Sequence, residues 1–303
     1  MTDSHLFNIA GHGVRIIFAS TDVNSMALLP SLEPFRVSDD TLEPFRVSDK
    51  TEKPLITLHV DDSLRPAANR KRLRAFDTGN GDTVVFLLPD GGYQFIIRDT
   101  QNQDCAMLIS NADFSDCYCA LNGNSMMRAF GLNNALMMSY AYASCRHQTL
   151  LIHASCVAYG GYGYPFLAKS GTGKSTHSSL WLRHIEDTEL MNDDNPIIRV
   201  VDGTPYIYGT PWSGKTPCYR NIRRPLGALV AIERAPANSI DRQATVQAFA
   251  TLLVSCSSMS WDSAINDAIC NTVSAIISKT PVYTLHCLPD EAAARLCHAT
   301  IAR

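Results

Sequence analysis

The run Ala168-Lys169-Ser170-Gly171-Thr172-Gly173-Lys174-Ser175 constrains this chain more than any other segment. It matches the phosphate-loop pattern G-x-x-x-x-G-K-[ST], except that Ala168 stands where the first glycine is usual. Glycines at 171 and 173 permit positive φ, so successive N–H groups turn inward and make a concave anion site where the next helix starts. Such a bend needs an apolar strand before it and a helix after it. Residues 164–167 and 174–185 supply both. Phosphate is the expected occupant, cradled by Ser170, Gly171, Thr172, Gly173, Lys174, Ser175 and Thr176. Lys174 brings a movable positive charge to the β and γ oxygens, and Ser175 offers its hydroxyl to a bridging magnesium ion. ATP and Mg²⁺ are the expected cofactors. A methyl group at Ala168 fits if its φ stays negative.

The 303 residues, 46% of them apolar, are enough for two ordinary cores. In the first part, residues 13–19, 55–60, 83–88, 93–99 and 105–110 read as strands, with Asn80-Gly81 and Asp90-Gly91-Gly92 as turns, so an antiparallel sheet is expected. Arg65, Arg70, Lys71, Arg72 and Arg74 read as a solvated edge strand. Residues 32–39 recur letter for letter as 42–49, a duplication in a tolerant surface segment or a docking peptide. Between 122 and 146 the period becomes helical, through Met126, Phe130, Leu132, Leu136, Met137, Tyr140 and Ala143. Strands follow at 150–158, 164–167, 197–201, 226–232 and 281–287, and helices at 174–185, 243–256 and 262–278. Asp290 reads as the N-cap of a last helix. The fold class is α/β (α+β), with a smaller β-rich domain over 1–130 and a phosphate-loop domain over 131–303.

Twenty-six Lys and Arg against 29 Asp and Glu give a net charge of −3, which supplies no field to hold nucleic acid. The longest uncharged apolar stretches, 84–88 and 135–143, fall short of the roughly 20 residues that span a bilayer. Residues 1–5 lack the basic start and apolar centre of a signal peptide. Ten cysteines contain no C-x-x-C pair and read as small buried residues in a reducing compartment. A cytoplasmic protein with no membrane partner is expected, and the oligomeric state is left open, a homo-oligomer included.

Three further groups bear on the phosphate loop. Asp193 and Asp194 are adjacent carboxylates, whose repulsion a cation relieves; with phosphate nearby, Asp194 reads as a magnesium ligand and Asp193 as the base that accepts a hydroxyl proton. Alone, the pair reads as an Asx-turn ahead of Pro196. His153, in the strand 150–158, reads by itself as a satisfied sheet histidine. The segment 209–224 is rich in turn residues and carries Lys215, Arg220, Arg223 and Arg224 around Trp212, so it reads as a loop able to close over a triphosphate, or as a plain surface loop.

Taken together, His153, the run 166–175, the pair Asp193-Asp194 and the basic loop through Arg220 resemble the catalytic domain of HPr kinase/phosphorylase, whose fold is shared with ATP-dependent phosphoenolpyruvate carboxykinases. The resemblance covers about 146–235 and leaves out the first 130 residues. It implies that His153 lies at the active site, that Asp193 and Asp194 supply a general base and a magnesium ligand, and that Arg220 aids phosphoryl transfer. The glutamate that usually follows Gly-Lys-Ser in HPr kinases is Thr176 here, and the 210–215 loop differs from theirs, which points away from HPr as acceptor.

The expected activity is an Mg·ATP-dependent phosphotransferase, a kinase acting on a hydroxyl of an unidentified acceptor, with Asp193, His153, Lys174, Arg220 and Lys215 catalytic. A nucleotide-sensing binding protein is the alternative from another class. A carboxykinase-like enzyme is a third reading, for which no manganese-binding lysine and histidine can be assigned.

Overall fold

Alternation of apolar and polar residues builds most of residues 3–121 into one sheet. In the computed structural model, which describes residues 2–20, 22–37, 53–77, 81–169 and 171–303, eight strands form it: β1 (Asp3–Ile9), β2 (His12–Phe18), β3 (Ile56–Val60), β4 (Lys71–Asp77), β5 (Asp82–Leu87), β6 (Tyr93–Arg98), β7 (Asp104–Ser110) and β8 (Asp116–Leu121). Their order is β1-β2-β3-β8-β7-β6-β5-β4. The sheet is mixed and not antiparallel throughout, because β3 pairs parallel with both β2 and β8. A tight turn can join only antiparallel neighbours, and the chain between β2 and β3 is long enough to cross over. Of the basic cluster, Lys71, Arg72 and Arg74 fall on the edge strand β4, whose side chains are mostly exposed on both faces, while Arg65 and Arg70 precede it. Asn80 and residues 38–49 of the repeat lie outside the described residues.

Helix α1 (Ser125–Ser144) buries Leu132, Ala135, Leu136 and Tyr140, spaced as one helical face, and Tyr140 donates its hydroxyl to the Ile9 carbonyl at 3.0 Å. Met126, expected on that face, is exposed in the first turn. The chain divides into two units, Met1–Ser144 and Cys145–Arg303, so residue 130 lies inside α1 and the helix belongs wholly to the first unit.

The second unit contains β9 (Thr149–Leu151), β10 (Ala154–Tyr159), β11 (Tyr162–Leu167), α2 (Lys174–His184), β12 (Glu189–Asp194), β13 (Ile197–Val201), β14 (Thr204–Tyr208), β15 (Arg223–Pro225), β16 (Leu229–Arg234), β17 (Ser239–Arg242), α3 (Thr245–Leu253), α4 (Ser263–Ile277), β18 (Val282–Cys287) and α5 (Glu291–Ile301). Six of these strands form a sheet in the order β12-β10-β11-β16-β18-β17, and four form a second sheet, β15-β14-β13-β9. The expected helix ends hold where a cap fixes them. Asp262 accepts from Ile265 N–H and Asp290 from Ala293 N–H. On α4, Ile265, Ile269, Val273 and Ile276 are fully buried, as their spacing predicts.

The core of the larger sheet is built around Trp181 of α2, which is fully buried against Tyr164, Phe166 and the α5 residues Ala293 and Cys297. Truncating such a side chain costs about 3–5 kcal/mol, so the start of α2 is held on a stiff base. All ten cysteines are free, eight of them buried, and burial pushes the Cys117 thiol up to about 12. Among the described residues no helix is long and apolar enough to cross a membrane. The mixed α/β class is present in both units.

Candidate active site

Strand register brings the site together. Ala154, the first residue of β10, pairs with Leu167 at the end of β11 and with Asp194 at the end of β12. His153 and Ala168 therefore emerge beside Asp194 at one edge of the sheet, and Asp193 lies one pair inward, opposite Ser155. The expected single strand 150–158 is broken at His153, whose N–H donates to the Ser255 carbonyl at 2.8 Å. The acid pair sits on a strand and not in an Asx-turn, because β12 runs antiparallel to β10 along its whole length.

The phosphate loop leaves β11 and enters α2 directly. Gly171 has φ 75° and Gly173, the N-cap of α2, has φ 129°; a Cβ at either would meet nothing within 4 Å, so the bend encloses open space. Ala168 is not among the residues of positive φ, and it packs against the core cluster, so the methyl group is accommodated. Arg234, at the end of the neighbouring strand β16, donates from Nε to the Thr172 carbonyl at 3.1 Å and from Nη2 to the Gly171 carbonyl at 2.6 Å. The guanidinium holds these carbonyl oxygens away from the cup, while the Thr172 N–H closes a turn onto the Lys169 carbonyl at 3.1 Å. Ser170 lies outside the described residues.

Lys174 is 8% exposed. Its Nζ lies 2.7 Å from His153 Nε2 and 3.1 Å from the Ala168 carbonyl. Burial pulls its pKa below the usual lysine value, opposed by the carboxylates of Asp194 and Asp193. As the ammonium can only donate, His153 Nε2 is the acceptor and Nδ1 carries the proton. Nδ1 is 3.1 Å from Asp194 Oδ1. His153 thus lies between the Lys174 ammonium, to which it is hydrogen-bonded, and the Asp194 carboxylate, which is close enough to form an ion pair when the imidazole is protonated.

Ser175 Oγ donates to Asp193 Oδ1 at 2.8 Å. Asp193 is 3% exposed and its Oδ2 is buried with no hydrogen-bond partner. A buried carboxylate oxygen left unpaired is costly, and a divalent cation beside Ser175 would satisfy it. The donor set, two acids and a hydroxyl with room for phosphate oxygens, is the hard oxygen chemistry magnesium prefers. Among the described residues no group of three or more His, Cys, Asp or Glu side chains could hold a metal by itself, so phosphate and solvent oxygens would complete the shell.

The turn after the acids is fixed by Asn192, fully buried, which donates to Thr210 Oγ1 at 3.1 Å and to the Trp212 carbonyl at 3.0 Å and accepts from Asn195 N–H at 2.9 Å. Asp194 has φ 151°, a strained value for a residue with a Cβ. Gly214 N–H donates to the Asp193 carbonyl, and a Cβ at Gly214 would sit 2.8 Å from that oxygen, so only glycine allows this approach. Lys215, next in sequence, is exposed.

Arg220 is not brought to the loop. It pairs with Glu189 at 2.7 Å and donates to the Leu190 carbonyl at 2.8 Å, at the opposite end of β12 from Asp194, about 16 Å away by strand rise. Its guanidinium holds the Glu189 carboxyl below the usual range. Sequence reasoning missed Arg234, Asn192 and Thr210. Asn192 carries a signal of a kind, as the polar neighbour of the acid pair; Arg234 carries none, being some 60 residues from the loop it clamps.

No protein-family model matches the chain, and no curated protein matches it. Among solved structures it shows a weak similarity to the Hpr(Ser) kinase/phosphatase from Coxiella burnetii, with 10% sequence identity, 49% of this chain and 91% of that chain covered, and a TM-score of 0.30.

Proposed function

We propose that the second unit is a magnesium-dependent phosphotransferase of the HPr kinase-like phosphate-loop type, taking the γ-phosphoryl of a nucleoside triphosphate to a hydroxyl acceptor. The observation that carries this reading is the pairing of Ser175 with Asp193, whose second oxygen is buried and unpaired beside an open phosphate cup. Ser175 and Asp193 are the metal pair. Magnesium would neutralise charge on the phosphate oxygens. Asp194, 3.1 Å from His153 Nδ1, is the base, so the roles expected of the two acids are exchanged.

In this scheme the acceptor oxygen bonds to the γ-phosphorus, the bond to the bridging β-oxygen breaks, and the acceptor proton passes to Asp194. Lys174 leaves His153 for the phosphate oxygens, a short move for a flexible side chain. The reading assigns the cation for the transferring group to Lys215, exposed next to Gly214, and gives Arg220 no part.

The test is single turnover with Mg·ATP and a panel of small alcohols, peptides and HPr-like proteins. Acceptor-dependent loss of ATP in the wild type, absent in Lys174→Ala, is the expected result. ATP binding with no acceptor-dependent turnover across the panel would replace this reading with that of a nucleotide sensor.

A further inference from the structure

The first turns of α2 present two different faces. At about 100° per residue, Gly173, Thr176, His177 and Leu180 share one side of the helix, and Ser175 lies about 150° around from its middle. Ser175 faces Asp193. The other side opens on a cavity of about 510 Å³ that neither acid nor His153 lines. Thr172, Gly173 and Thr176 of the phosphate cup form one wall of it, and Ile232, Ala235 and Leu288 lie across it. This volume falls within the range of small-molecule sites, which run about 300–1,000 Å³.

We propose that this cavity takes the purine base of the nucleoside triphosphate, an inference that rests on the phosphate cup of the preceding section. A ligand with a polyphosphate at one end and a flat apolar body at the other spans cup and cavity without a gap, because the two share a wall. The cavity is mainly apolar, as a heteroaromatic face requires. It also holds a planar cation, Arg234, whose two hydrogen bonds to the phosphate loop fix the guanidinium at the junction of cup and cavity; such a group stacks on a base.

His177 also lines the cavity, its Nε2 accepting from Trp181 Nε1 at 3.1 Å. A purine buries more apolar area here than a pyrimidine and binds more tightly for that reason.

Calorimetric titration of the full chain with Mg·ATP, Mg·UTP and inorganic triphosphate tests this. The wild type should bind ATP at least about tenfold more tightly than UTP or inorganic triphosphate. Ala235→Trp, which fills the cavity, and Leu288→Asp, at its 41% exposed rim, should each lose that margin and leave inorganic triphosphate affinity unchanged. If Ala235→Trp fails to fold, Leu288→Asp decides. ATP bound no better than inorganic triphosphate or UTP, or ATP affinity retained in the folded variants, overturns the inference while the cup stands. A wild type that binds neither ATP nor inorganic triphosphate overturns the cup itself, and this inference with it.

Discussion

Ser175 and Asp193 share one hydrogen bond, 2.8 Å from hydroxyl to Oδ1, and leave Oδ2 of the same carboxylate buried and unpaired. A buried carboxylate that gains only one neutral donor lacks the partner its charge requires. Under the proposed function, a magnesium ion held jointly with phosphate completes it.

Asp193→Asn removes the charge and keeps the shape. We expect turnover to fall about 10²–10³-fold, the scale for losing one preorganised electrostatic partner, with the magnesium dependence of the remaining rate flattened. Initial rates across a magnesium titration read this directly. A variant with the wild-type magnesium curve removes Asp193 from the metal site.

His153→Ala removes the imidazole that stands between Lys174 Nζ and Asp194 Oδ1. Turnover should drop about 10²-fold or more while the KM for nucleotide shifts only a few-fold, and the limb of the pH–rate profile set by the base should move. An unchanged profile with lowered turnover would make His153 structural.

Lys174→Met replaces a desolvated ammonium by an apolar side chain of similar length. Removing the ammonium leaves His153 Nε2 and the Ala168 carbonyl without that donor, so the denaturant midpoint should fall by the equivalent of about 1–3 kcal/mol, whereas nucleotide affinity should fall at least about tenfold. Urea melts and calorimetry on the same preparation separate the two effects.

Asp194 holds φ 151°, and strain of this kind costs about 1–3 kcal/mol. Asp194→Gly relieves it and Asp194→Ala does not. Both should lose turnover, and the glycine variant should be the more stable by about 1 kcal/mol. Equal stability would show that the turn carries no strain.

Burial holds His177 neutral, lowering its pKa from 6.5 to about 4. Between those values the unfolded chain binds a proton that the folded chain refuses, so stability is full above 6.5 and is lost as the pH falls toward 4. The loss attributable to this group is about 3 kcal/mol. Denaturant melts across that window should show a steeper acid loss for wild type than for His177→Phe. Parallel curves would mean that other groups govern acid unfolding.

The phosphate loop was legible because its chemistry is local: two glycines at positive φ, a lysine and a serine within five residues dictate a cup whatever lies around them. The cap at Asp290, the start of α4 near residue 262 and its buried face were legible for the same reason, since a helix repeats over a few residues. Strands with weak composition, β1, β8, β12 and β17, were not, because a strand is stabilised by partners distant in sequence.

What the sequence determined by itself is the inventory: a phosphate cup, an acid pair, one histidine ahead of the loop, and a mixed α/β chain. Only the tertiary structure sets Asp193 beside Ser175 and Asp194 beside His153, since the Ala154 pairings with Leu167 and Asp194 are register and not composition. It also withdrew Arg220 to Glu189 and brought Arg234 to the loop, because a cation's place depends on which strand ends beside which.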